Sequence, residues 1–325
     1  MSGASSPPAA SPPAEPRAWR LLRWFALAAI VTNVVIVATG GVVRVTGSGL
    51  GCIDWPTCDG TNIAPVPGGD HAGWQAAVEF GNRLLTFPVL AAATLTWWQV
   101  RRTGPHSTTV RNLSWVLPLG VVAQAVVGGI TVLTGLSPYT VATHFLLSMV
   151  LIAAAVTLHE RVRPQPATPP PARGVQHATT VILLVAAVVL VLGTLVTGSG
   201  PHGGDVDAPR LGLDIRVMAL AHADAVWLLI GVTAATVAVT WRSGPPRLRF
   251  AVRLLLALQL AQGGIGYLQY WLGIPPQLVS LHIVGAAAVW LVTVMTWVRA
   301  RPRPVTPDSG DLAAPAARAP APAPR

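Results

Sequence analysis

Apolar residues in this chain gather into eight long runs, near residues 24–43, 75–98, 114–133, 141–159, 178–197, 217–240, 254–272 and 278–298. Each run holds roughly 19 to 24 residues, enough helix to cross a hydrocarbon core about 30 Å thick. The pattern predicts an all-α polytopic membrane protein of eight transmembrane helices. Composition agrees, with 52% hydrophobic and only 10% charged residues. Residues 1–16 are Pro/Ala/Ser-rich and the stretch after Arg303 is Pro/Ala-rich, and residues 1–23 and 299–325 are expected to be disordered tails. No cleavable signal peptide is visible, because the first apolar run is itself long enough to span.

Charge sets an orientation. All 22 cationic side chains are arginine, and the net charge is +10. Such an excess raises the question of nucleic acid, which the distribution answers against. The arginines lie in the two tails and in alternate loops, leaving only Arg44, Arg83, Arg210 and Arg216 on or near the other side. By the positive-inside rule both termini are cytoplasmic. The outer loops are then unequal. The first, residues 44–74, carries Cys52 and Cys58; the third, residues 198–216, carries His202; the second and fourth are short turns with Pro138 and Pro275-Pro276.

The chain repeats once. Thr46-Gly47-Ser48-Gly49 returns as Thr197-Gly198-Ser199-Gly200, and Gly128-Gly129-Ile130 as Gly263-Gly264-Ile265. His144 matches His282, and Asn82 matches His222, with separations of 62 and 60 residues. Four helices per half restore the same orientation. The expected architecture is therefore two parallel-repeat four-helix bundles, residues 24–159 and 178–298, joined by a cytoplasmic linker, residues 160–177. An axis along the membrane normal would relate them.

Ionisable groups inside a membrane are costly and mark function by default. Val78-Glu79-Phe80-Gly81-Asn82-Arg83 places three polar residues inside the second run. Glu79 and Arg83 stand at i, i+4, so an internal ion pair is the plain reading. Asn82, His144, His222 and His282 all lie about five to seven residues from the outer helix ends, roughly 7–11 Å deep. His222 and His282 would fill both axial positions of a tetrapyrrole iron. In the first half His144 faces Asn82, a weak iron ligand, so a haem there would keep an open position. Glu79 shares a face with Asn82 and would deliver protons or orient substrate. Arg83 would pair with Glu79 or with a haem propionate. Cys52 and Cys58 read either as a structural disulfide or as a redox-active pair. Asp54 and His71 are nearby metal donors that nothing fixes. His71 and His202 read as solvated loop residues, and His106, His159 and His177 as interface residues on the cytoplasmic side.

These motifs together resemble the haem A synthase family of bacterial cytochrome oxidase assembly. The resemblance rests on Thr46-Gly47-Ser48-Gly49-Leu50-Gly51-Cys52 with Cys58, on Glu79-Phe80-Gly81-Asn82-Arg83, on Thr197-Gly198-Ser199-Gly200-Pro201-His202, and on the ordered His144, His222 and His282. It covers about residues 24–298. It implies an oxidoreductase of the bacterial plasma membrane that converts a ring methyl of haem O to a formyl group, giving haem A. It further implies haem b, with its iron, on His222 and His282, and haem O as substrate on His144 with Asn82 and Arg83 close by. Glu79 matches the family's catalytic glutamate, and Cys52 and Cys58 its outer-loop cysteine pair. Many members carry histidine where this chain has Asn82. The expected partners are haem O, membrane lipid, haem O synthase or oxidase assembly factors, and a homo-oligomeric copy, with no nucleic acid. A haem-binding electron carrier without synthase activity is the competing reading.

Overall fold

A computed structural model describes residues 16–66, 73–164, 169–242 and 244–302. The N-terminal tail up to residue 15, the C-terminal tail from residue 303, and Asp70 and His71 lie outside the described residues.

Among the described residues the chain is helical and has no strand. The helices are α1 Arg17–Val45, α2 Gly73–Leu84, α3 Thr86–Arg102, α4 Thr108–Leu133, α5 Pro138–Val162, α6 Arg173–Ser199, α7 Ile215–Thr240, α8 Pro246–Trp271 and α9 Pro276–Arg299. Seven of them are long and apolar enough to cross a membrane. The second apolar run departs from expectation, because it is two helices rather than one. Pro88 has no N–H to give the carbonyl of Leu84, and its ring crowds that carbonyl. The helix is interrupted at Leu85, which keeps a helical φ of −64°. α2 and α3 therefore make the eighth crossing together, and the polar stretch Glu79–Arg83 falls on the short upper piece.

Helices α1, α3, α4 and α5 pack in a ring, and α6, α7, α8 and α9 pack in a second ring. Between the rings α1 meets α9, α6 meets α5, and α5 meets α9. That exchange is what a twofold axis parallel to the helices produces. Ile283 of α9 sits on Gly41 of α1, where a Cβ would lie 3.2 Å from its side chain. The Trp290 indole donates to the Met149 carbonyl at 2.7 Å. At the arginine-rich end the Arg299 guanidinium grips buried Glu160 of α5 through two bonds, of 3.0 and 2.8 Å.

The repeat is exact in the turns that precede α5 and α9. Gly135 and Leu136 have φ of 59° and 58°; Gly273 and Ile274 have φ of 73° and 62°. In each pair the second N–H returns to a carbonyl five residues back, Leu136 to Thr131 and Ile274 to Gln269. The left-handed pair ends one helix. A proline then opens the next, Pro138 in α5 and Pro276 in α9. His144 and His282 follow at the same step into their helices.

Candidate haem-binding and loop-anchored sites

The second-half site is a pair of facing imidazoles. His222 of α7 and His282 of α9 have ring centroids 6.4 Å apart, with planes at 62°. A metal bound to an imidazole nitrogen at about 2.0–2.1 Å lies roughly 3.2 Å from the ring centroid. Two rings on opposite sides of one ion therefore sit about 6.4 Å apart, and the observed spacing fits a single iron. His222 Nδ1 lies 3.1 Å from the Val189 carbonyl. Donating its proton there leaves Nε2 with a free lone pair, the usual arrangement of a ligating histidine. His282 Nδ1 and His144 Nδ1 are buried without a hydrogen-bond partner, which leaves each ring a nitrogen uncommitted within the protein. Among the described residues no three of His, Cys, Asp or Glu cluster as a metal site. Two imidazoles alone are too few protein ligands for a bare metal ion, and they would suit an iron already carried by a tetrapyrrole.

Each histidine is seated on a glycine of the preceding helix. A Cβ at Gly128, Gly193 or Gly266 would lie 3.1, 3.3 or 3.4 Å from Cε1 of His144, His222 or His282. This corrects the register of the repeat. Gly128 corresponds to Gly266, not to Gly263. The same two-glycine motif occurs one helical turn apart in the two halves, and the ring packed on Gly128 and on Gly266 settles the equivalence, in agreement with the sixteen-residue spacing of each to its histidine. Two glutamines escaped the sequence reading. Gln124 Nε2 donates to the His144 carbonyl at 2.9 Å, and Gln262 Nε2 to the His282 carbonyl at 2.6 Å. Their signal was present, since each stands twenty residues before its histidine.

The first-half site is built differently. The Asn82 carboxamide lies 2.7 Å from Thr39 Oγ1 of α1. Asn82 accepts there from a side-chain hydroxyl, whereas His222 meets a main-chain carbonyl of α6, that of Val189. Glu79 and Arg83 form the expected ion pair at 2.7 Å, but the pair belongs to a larger clamp. Glu79 Oε2 accepts the Cys52 N–H at 2.7 Å. Arg83 donates to Glu79 through Nε and Nη2, to the Thr57 carbonyl at 3.0 Å and to the Cys52 carbonyl at 3.3 Å. Cys52 and Cys58 form a disulfide, so the clamp holds both ends of a closed loop. The Trp55 indole of that loop rests on Gly129 of α4, where any Cβ would collide with it. Gly129 adjoins Gly128, the seat of His144. Trp55 and His144 thus flank α4 about 100° apart.

The other loop residues are accounted for by turns. Asp54 accepts from the Thr57 hydroxyl at 2.7 Å, and this bond lowers its pKa. Asp59 accepts from the N–H and side chain of both Thr61 and Asn62, and its carboxyl is held well below the usual range. His202 is half-buried rather than solvated, with Nε2 3.0 Å from the Ile274 carbonyl. The two Gly-rich loops meet through Gly49 N–H, which donates to Gly204 O at 2.7 Å. At the arginine-rich end His106 lies against Trp19, ring centroids 5.0 Å apart, and burial lowers its pKa.

A family model described as cytochrome oxidase assembly protein matches residues 23–201, more than half of the chain. The chain belongs to that family. The match ends where the third outer loop begins, and the second half is tied to the first by the structural repeat. Curated relatives named heme A synthase are similar to it. They include proteins from Lysinibacillus sphaericus (36% identical over 141 residues, 43% of this chain and 44% of that protein) and Geobacillus kaustophilus (30% over 141 residues, 43% of each). Another, from a Methylobacterium species, is 34% identical over 158 residues, 46% of this chain and 43% of that protein. The matched stretch spans less than half the length of each of these relatives.

Proposed function

We propose that the protein is a haem A synthase, an oxidoreductase that converts a ring methyl of haem O to the formyl group of haem A. The observation that carries this reading is the asymmetry of the repeat. One half presents two imidazoles 6.4 Å apart; the other keeps His144 and replaces the second imidazole with Asn82. In this reading His222 and His282 are the residues that would hold haem b, which would supply one-electron transfer. His144 binds the substrate haem O, and Asn82 leaves the opposite face unligated. The half ending at His159 is the substrate bundle and the half from residue 178 the cofactor bundle. The protein spans the bacterial plasma membrane with both termini cytoplasmic and the disulfide loop outside, as the arginine distribution supports. Haem O synthase and oxidase assembly factors are the fitting partners for supply and delivery.

Glu79 is the proposed site carboxylate. Its two oxygens hold Arg83 and the Cys52 N–H, so it orients the loop over the substrate bundle. Trp55 is the part of that loop which reaches the helices. Trp55→Ala should raise KM for haem O about tenfold, the scale for truncating a half-buried aromatic anchor, with haem b content unchanged. Gly129→Val should do the same by displacing the indole. Steady-state assays with extracted haems check both. Asn82→His should supply a second axial imidazole to the substrate haem. The first-half iron then becomes six-coordinate and low-spin, read by electron paramagnetic resonance, and haem A formation falls.

The deciding experiment co-expresses the chain with a haem O synthase, extracts the haems and identifies each by mass. Haem b together with haem A is the expected result. Haem b alone, with haem O supplied, would make the protein an electron carrier.

A further inference from the structure

Asp224 lies on α7 two residues beyond His222, about 200° around the helix and so nearly opposite to it. His222 points inward to His282 and Val189. Asp224 is exposed, and among the described residues it has no ion-pair or hydrogen-bond partner. It stands about 13 Å along the axis from the start of α7, within a hydrocarbon core about 30 Å thick. A carboxylate facing lipid at that depth is unfavourable and calls for a partner. The residues around it on the same face are Val217, Leu220, Trp227 and Leu228, each more than half exposed. Trp227 is fixed in place by its indole N–H, which donates to the Tyr267 hydroxyl of α8 at 3.0 Å. An apolar stripe with a set indole and one carboxylate at its centre has the make-up of a helix-docking face.

We propose that this face of α7 docks a transmembrane helix of a different protein, one that presents an arginine, lysine or histidine at the depth of Asp224. Charge complementarity selects that partner. A second copy of this chain does not supply it. Arg83 is committed to Glu79 and the loop carbonyls, and the three intramembrane histidines sit on their glycine seats inside the bundles. Arg216 lies eight residues toward the helix start, about 12 Å up the axis. The proposal is independent of the haem chemistry, because the face points away from it.

The test places a photo-reactive amino acid at Leu220 or Leu228 of the full chain in cells of the source organism, and identifies the cross-linked product by mass. The expected product is one other membrane protein, joined through a helix with a basic residue in its hydrocarbon segment. Asp224→Asn should lower the yield roughly tenfold and leave the haem b spectrum unchanged. Pairing Asp224→Arg with an acidic residue in place of the partner's basic one should restore it. A cross-link to a second copy, a partner helix without a basic residue, a yield indifferent to Asp224→Asn, or no protein product would each overturn the proposal.

Discussion

His222→Ala should empty the second-half site of haem b and cut haem A formation by more than about a hundredfold, beyond the effect of losing an outer-shell partner of a metal ligand. The argument rests on geometry. His222 and His282 face each other at the spacing of two axial ligands, and no other side chain among the described residues is placed to take over from either. The Val189 carbonyl that fixes the His222 tautomer would lose its donor. His282 would keep its seat on Gly266, so the bundle should stay folded. Reduced-minus-oxidised spectra give the haem b content, and haem extraction gives the product. Wild-type turnover in a variant without the low-spin haem would refute the division of the protein into a cofactor half and a substrate half.

Glu79→Ala should be nearly as damaging, for a different reason. Removing one member of a buried ion pair strands the other, at a cost of roughly 3–5 kcal/mol. Here the stranded group is Arg83, which is largely buried. The Cys52 N–H would lose its acceptor as well. The loop closed by Cys52 and Cys58 should then come away from α2, carrying Trp55 off Gly129. The expected result is a lower melting temperature, faster proteolysis between residues 52 and 66, and loss of haem A formation, with haem b retained. Glu79→Gln keeps an acceptor for Cys52 but cannot pair with Arg83, so it should hold the loop better than alanine does. A Glu79→Gln variant with an intact loop and no activity would assign the carboxylate a direct chemical role beyond positioning.

Much of this molecule is legible in its residue order. Runs of apolar residues of spanning length demand helices, because nothing else satisfies the backbone in hydrocarbon. The ordered histidines, the repeated Gly-rich loops and the Glu79–Arg83 spacing are legible because each is a local pattern or a count along one helix, and the structure brings His222 to His282 and pairs Glu79 with Arg83. Pro88, which divides the second crossing into α2 and α3, was visible too, but whether such a proline kinks a helix or interrupts it depends on its neighbours. The register of Gly128 with Gly266 was obscured by the repeated Gly-Gly-Ile motif, although both glycines stand sixteen residues before their histidines.

What the sequence determined by itself was the membrane class, the duplication and the short list of polar residues in hydrocarbon. Only the tertiary structure decided how those residues are used. It brought His222 and His282 to facing positions, and it committed Glu79 and Arg83 to the disulfide loop. It set Trp55 on Gly129 and turned Asp224 outward. The physical reason is that helical periodicity fixes which residues share a face. Which face meets another helix, a loop or lipid depends on packing between segments far apart in the chain.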